Sequence, residues 1–286
     1  MPETRAPGTA PGITLALGGG GARGLAHAGV LATLADAGIP VRAVVGTSIG
    51  AEIGAFYCVG LGPDRIEDMA REMDWMATFK LFWPSLEGGA LTSGRNIESY
   101  LRERLGKATF ADCDPQLRAV ATDMVRGDEV VLDEGGLVEA VRASIALPGL
   151  IKPFRVNGRL LGDGGLVNPL PVDVARRLFG GPVVAVAVHP GALGREEQPD
   201  DPDPFHEPQE ESSGPALISN LRRAVQITQA QLVSWRVAAS PPDLTLKPVV
   251  PGMGTLEFYR GREALEAGRQ AAMDNLDRIQ RLVETV

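Results

Sequence analysis

Short apolar runs alternate with longer stretches of helical periodicity along this chain, and turn residues punctuate them. Residues 13–17 are apolar and stop at a glycine turn, which predicts a buried strand. Residues 22–37 carry Leu25, Val30, Leu31 and Leu34 near helical spacing, with Gly38 beyond them, which predicts a helix and its stop. Residues 41–45 predict a second strand and Ile49–Cys58 the helix behind it. A strand-turn-helix unit repeated at once favours a mostly parallel sheet covered by helices.

Residues 63–106 read as helical but less regular, and include an aromatic-rich stretch from Trp75 to Trp83 that ends at Pro84. Ser93 is the expected cap of a helix over 94–105. Residues 117–122 and Glu129–Leu132 predict strands joined around Arg126-Gly127, and residues 137–145 a short helix ended by Pro148. Phe154–Val156, Asn157-Gly158 and residues 159–161 form a hairpin signal, because Asn-Gly supplies the positive φ angles of a tight turn. Pro171 suits the first turn of a further helix. Residues 183–188 and 244–249 predict strands. Leu217, Leu221, Ala224, Val225, Thr228, Leu232 and Trp235 mark an amphipathic helix, and residues 261–283 a closing one.

Composition narrows the class. The 286 residues suffice for one sizeable α/β domain, expected over 13–286 behind a disordered, cytoplasmic N-terminus at 1–12. No apolar run has the length of a membrane span. Residues 195–211 hold eight acidic residues and one basic, so nearly all of the net charge of −8 sits there. Residues 190–215 are acidic, Pro-rich and poor in large apolar side chains, which predicts a disordered loop. The remainder is close to neutral and lacks the basic excess of a nucleic-acid binder. Cys58 and Cys113 read as buried free thiols, and the three histidines, His27, His189 and His206, show no metal-ligand spacing. No metal or cofactor is expected.

The candidate chemistry lies in Gly46-Thr47-Ser48-Ile49-Gly50, at the predicted junction of strand and helix. G-x-S-x-G in that position is a nucleophile elbow: a sharp turn lifts the serine hydroxyl out of the sheet. Ser48 is thus a candidate nucleophile. An attacked ester carbonyl also needs donors for its oxyanion, and the turn Gly18-Gly19-Gly20-Gly21-Ala22-Arg23-Gly24 offers the N–H groups of Gly19, Gly20 and Gly21. Arg23 can stiffen that turn or add charge. The same turn fits G-x-G-x-x-G, but the acid expected about 20 residues on in a dinucleotide site is missing. A base is less marked. Asp163, in Gly162-Asp163-Gly164-Gly165, is the one carboxylate in a comparable turn, and His189 ends a predicted strand. The pattern leaves a Ser48–Asp163 dyad and a triad through His189 both open.

Together these motifs resemble the patatin-like phospholipase family. Ala140-Val141-Arg142-Ala143-Ser144-Ile145 and Asn168-Pro169-Leu170-Pro171 are similar to its small bacterial, neuropathy-target-esterase-like branch. The resemblance implies a three-layer α/β/α fold with a mostly parallel sheet. It implies a Ser-Asp dyad, with Ser48 attacking lipid acyl esters and Asp163 taking the proton. The glycine turn becomes the oxyanion hole, supported by Arg23, Gly46, Gly50, Gly164 and Gly165. Residues 63–106 and 216–237 are candidates for a cap over the pocket. The aromatic stretch reads as ordinary core, acyl-pocket lining or contact with a membrane surface. The acidic segment is outside the family's core pattern, and the transmembrane and cyclic-nucleotide segments of larger members are missing, as for a stand-alone catalytic unit. A nucleotide-binding protein and a non-catalytic lipid binder on the same fold are the competing readings.

Overall fold

A computed structural model describes residues 12–83, 90–189 and 216–284. The expected loop at 190–215 and nearly all of the N-terminal segment lie outside the described residues. The chain begins with β1 (Ile13–Leu17), a 3-10 turn (Gly21–Leu25), α1 (Ala26–Asp36), β2 (Val41–Thr47) and α2 (Ile49–Cys58). Next come α3 (Pro63–Glu72), α4 (Trp75–Leu81), α5 (Arg95–Leu105), β3 (Gln116–Asp123), β4 (Glu129–Leu132) and α6 (Leu137–Ser144). The hairpin β5 (Phe154–Val156) and β6 (Arg159–Asp163) leads to α7 (Val172–Phe179) and β7 (Val183–Val186). The last elements are α8 (Ala216–Ala239), β8 (Leu244–Leu246), α9 (Gly261–Met273) and α10 (Leu276–Glu284).

Strands β3, β2, β1, β7 and β8 pair in parallel in that order. Strands β4 and β6 join β3 antiparallel, and β5 pairs with β6. Side chains alternate between the faces of this sheet, as the pleat requires. Ile13, Leu15, Leu17, Val44, Leu117, Val184 and Val186 enter a large core shared with α1, α2, α3, α5, α6, α9 and α10. Ala16, Val45, Val120, Val183 and Ala185 enter a smaller core with α7 and Val233 of α8. This is the expected three-layer arrangement.

One detail of pairing places the site. Strand β4 occupies one edge of β3 from Ala119 to Thr122. Along the other edge β2 pairs as far as Val120, which faces Thr47. Strand β6 takes over at Ala121, which faces Asp163. The C-terminal ends of β2 and β6 therefore abut on a single strand.

Helix α1 is buried over nine of its eleven residues, so its apolar pattern runs almost all the way round. The sheet covers one side and α9 the other, so closely that a methyl group on Gly268 would strike the carbonyl of Ala26.

Several boundaries move. The helix expected over 22–37 is a 3-10 turn followed by α1, and the closing helix breaks after Met273 into α9 and α10. The strand expected over 244–249 stops at Leu246, just before Lys247 and Pro248, which has no N–H for a ladder. Strand β7 ends at Val186 rather than at 188, and β2 extends to Thr47. Ser93 does not cap α5: Gly94 holds that position with φ 79°, and no side chain caps the helix. Pro171 is the cap of α7 rather than its first helical residue.

Candidate active site

Ser48 stands where β2 turns into α2, with φ 55° and ψ −125°. A positive φ is costly for a residue with a β-carbon. Among the described residues only Ser48 and Asn157 adopt one outside glycine. The turn needs bare backbone on both sides. A methyl on Gly46 would strike the carbonyl of Gly50, and one on Gly50 the carbonyl of Leu17.

Asp163 ends β6, and the abutting strands bring it to Ser48. The Ser48 hydroxyl donates to Asp163 Oδ2 at 2.7 Å. The other carboxylate oxygen accepts from Gly165 N–H at 2.7 Å, and the Thr122 hydroxyl donates to the Asp163 carbonyl at 2.7 Å. Gly164 passes directly over the Val120 carbonyl. Burial raises the Asp163 pKa to about 6, although the hydrogen bonds from Ser48 and Gly165 favour the charged form. The hydroxyl and the carboxylate meet directly, with no imidazole between them. His189 is buried in the wall of the same cavity.

The glycine turn lies against Ser48, and Gly19, Gly20 and Gly21 all line the cavity with Ser48 and Asp163. One expected donor is withdrawn: the Gly19 N–H is committed to the Pro169 carbonyl at 2.9 Å. Gly20 and Gly21 make no backbone hydrogen bond through N–H among the described residues, so both remain able to donate. Two buried side chains hold the turn. Arg23 donates to the Met253 carbonyl. His27 bonds the Gly18 carbonyl at 2.7 Å through Nε2, which must carry the proton because a carbonyl only accepts. Burial lowers the His27 pKa to about 4, so the ring is neutral.

A cavity of about 250 Å³ opens from Ser48 between α2, α3 and α5. Both segments expected as a cap contribute wall: Met73, Leu81 and Phe82 from one, Val225, Gln226 and Gln229 of α8 from the other. The aromatic stretch divides. Phe82 lines the cavity and stacks on Phe258 at 5.6 Å, whereas Trp75, Met76, Phe79 and Trp83 are 48–71% exposed. Core packing is therefore not their role. Among the described residues, no group of three or more His, Cys, Asp or Glu could hold a metal ion, and both cysteines are buried and free.

The sequence profile of the patatin-like phospholipases matches residues 15–176, which span every element of this site up to α7. The chain belongs to the patatin-like phospholipase family. It is 34% identical over 186 residues to an uncharacterized NTE family protein of Mycobacterium tuberculosis, covering 65% of this chain and 51% of that one. A second such protein of that organism is 32% identical over 285 residues, covering 91% of this chain and 46% of the relative. A lysophospholipase of Pyricularia oryzae is 27% identical over 288 residues, covering 93% of this chain and 18% of its own length. The chain thus spans about half the length of the mycobacterial relatives and 18% of the Pyricularia lysophospholipase. In fold it is similar to VipD from Legionella pneumophila, with a TM-score of 0.55 at 14% identity, covering 94% of this chain and 67% of that one.

This patatin-like site also uses residues whose roles the sequence pattern left unassigned. The Ser144 hydroxyl, at the end of α6, accepts from Ser48 N–H at 2.9 Å and donates to the Val120 carbonyl at 2.6 Å. It fills the gap where β2 leaves β3 and β6 has not yet begun. The Asn168 carbonyl accepts from the Thr47 hydroxyl at 2.8 Å, so Asn168 and Pro169 pin the end of β2 and the glycine turn together. Thr255, Leu256 and Phe258 complete the wall from a loop with no sequence signal. The only pointer to Ser144 was its place in the family-like stretch 140–145. Replacing Ser144 with Ala strands a buried N–H and a buried carbonyl. The expected cost is about 1–3 kcal/mol, read as a lower urea midpoint with an unchanged m-value.

Proposed function

We propose that the protein is a serine acyl hydrolase that cleaves carboxylic esters of phospholipids or lysophospholipids through an acyl-enzyme. The observation that carries this reading is the direct 2.7 Å hydrogen bond from a strained elbow serine to a buried carboxylate at the mouth of an apolar cavity. Family membership supports the substrate class.

In this mechanism Ser48 Oγ attacks the ester carbonyl carbon while its proton passes to Asp163 Oδ2. Negative charge moves to the carbonyl oxygen, where the N–H groups of Gly20 and Gly21 donate to it. The tetrahedral adduct collapses, the alcohol or lysolipid leaves with the proton from Asp163, and the acyl group remains on Ser48. Water then attacks the acyl-enzyme as Asp163 takes one of its protons. Collapse of the second adduct frees the fatty acid and returns the proton to Ser48. A carboxylate whose pKa sits near 6 is a stronger base than a solvated one, yet is ionised at neutral pH.

Contact with a lipid surface follows the same logic. The exposed face of α4 and its flank, with Trp75, Met76, Phe79 and Trp83, is continuous with Leu81 and Phe82 in the cavity wall. Aromatic side chains with apolar bodies and polar edges suit a membrane interface. Among the described residues no helix is long and apolar enough to cross a membrane. We assign this face to peripheral contact with phospholipid.

Replacing Ser48 with Ala or Asp163 with Asn is expected to reduce turnover of p-nitrophenyl esters by about a thousandfold or more. The folded-state pKa of Asp163 is raised, so its contribution to stability is lost as pH climbs through about 6. The Asp163→Asn protein should therefore melt no lower than wild type at pH 8, which separates lost chemistry from lost folding. Wild-type kcat/KM should rise about tenfold per pH unit below 6 and level off above it. An activity profile flat from pH 5 to 8 would exclude Asp163 as the base.

A Trp75→Ala, Phe79→Ala, Trp83→Ala triple variant should lose most of its co-sedimentation with phosphatidylcholine vesicles. It should still hydrolyse a soluble short-chain ester at the wild-type rate. Unchanged sedimentation would remove this face from membrane contact.

A further inference from the structure

Glu52 sits in the cavity with no task in the chemistry above. It lies four residues beyond Ser48 on α2, one helical turn away, so the two side chains share a face. Both line the cavity, together with Ile53, Phe56, Ile97 and Tyr100. A leucine would serve a plain alkyl chain better at such a position, because a carboxyl there has given up its hydration. Burial raises the Glu52 pKa to about 7, with the charge of Arg104 opposing the rise.

Among the described residues Glu52 has no direct partner. Arg104 lies over the ring of Tyr100, 3.6 Å from its centroid, and its ion pair is with Glu103 at 3.4 Å. Among the described residues the Glu52 carboxyl makes neither a hydrogen bond nor an ion pair, and the residue is part-buried in the cavity wall. An unmet polar group inside a protein is a free-energy cost that a matching ligand group can relieve. One helical turn rises about 5.4 Å, the reach of a few methylenes from the carbon bonded to Ser48.

We infer that Glu52 is a specificity-determining residue that makes the cavity favour acyl chains bearing a hydroxyl group a few carbons from the ester over plain alkyl chains of equal length. The inference rests on the hydrolase reading and deepens it by naming the acyl class. The bound hydroxyl would donate to the ionised carboxylate or accept from the neutral acid, so recognition survives either form of Glu52.

The test is competitive hydrolysis of methyl hexanoate, methyl 3-hydroxyhexanoate and methyl 6-hydroxyhexanoate in one mixture, with the acids separated by chromatography. The full-length wild type, Glu52→Gln and Glu52→Leu proteins are compared. Wild type should favour at least one hydroxy ester by about tenfold or more in kcat/KM. Glu52→Gln, which keeps a hydrogen-bonding group, should retain most of that preference, and Glu52→Leu should abolish or invert it. Each readout is a ratio within one sample, so a partly unfolded variant does not distort it, and Glu52→Ala takes the place of Glu52→Leu if that variant does not fold. Equal rates or a preference for methyl hexanoate in wild type would overturn the inference and leave the hydrolase reading standing. So would a preference that persists in Glu52→Leu. No turnover of any ester and no fluorophosphonate labelling of folded wild type would overturn both.

Discussion

Ionising a carboxyl in an apolar interior is costly, and the arrangement around Asp163 offsets that cost with hydrogen bonds. Its two oxygens accept from Ser48 and Gly165, and its own carbonyl accepts from Thr122. The contact with Gly165 is local to the turn, and the other two depend on the edge of β3, where β2 stops and β6 begins. Two strands of opposite direction ending on consecutive residues of a third give a fixed distance between their terminal side chains. A helix or free loop in place of β6 would leave that distance to be set by weaker contacts.

The glycine turn is held to the same junction by different means. Pro169 accepts from Gly19 and Asn168 from Thr47, so one short segment registers the turn against the strand that carries the serine. Arg23 and His27 fix the turn from within, one through Met253 and the other through Gly18. Binding Gly19 in this way stiffens the turn and leaves Gly20 and Gly21 as the donors of the proposed mechanism. Donors that need not reorient as charge develops are the more effective ones.

The elbow, the glycine turn and the Asp163 turn were legible in the amino-acid sequence because each is a local demand on the backbone that few residue types meet. The parallel sheet was legible from its continuous apolar runs, which only strands buried on both faces require. Ser144 and Glu52 were not, since nothing in their neighbours along the chain says that one will bridge two strands and the other will face a cavity. The aromatic stretch left three readings open for a related reason. Large apolar residues are usually interior, and only the tertiary arrangement turns Phe82 inward while leaving Trp75 and Trp83 outside. The closing helix looked continuous because the break after Met273 carries neither glycine nor proline.

The burial of α1 beneath α9 has a consequence for the order of assembly. On the ribosome α1 emerges well ahead of the helix that covers its outer side, which comes more than two hundred residues later. Until α9 emerges the nascent chain therefore carries a complete apolar helix with one flank bare. The sheet has the same property, since β1 lies at its middle and waits for β7 on one side. Such a chain cannot close this part of its core from α1 forward, and the closure waits until α9 has left the exit tunnel. Until then, chaperones that hold exposed apolar surface have a clear place to bind.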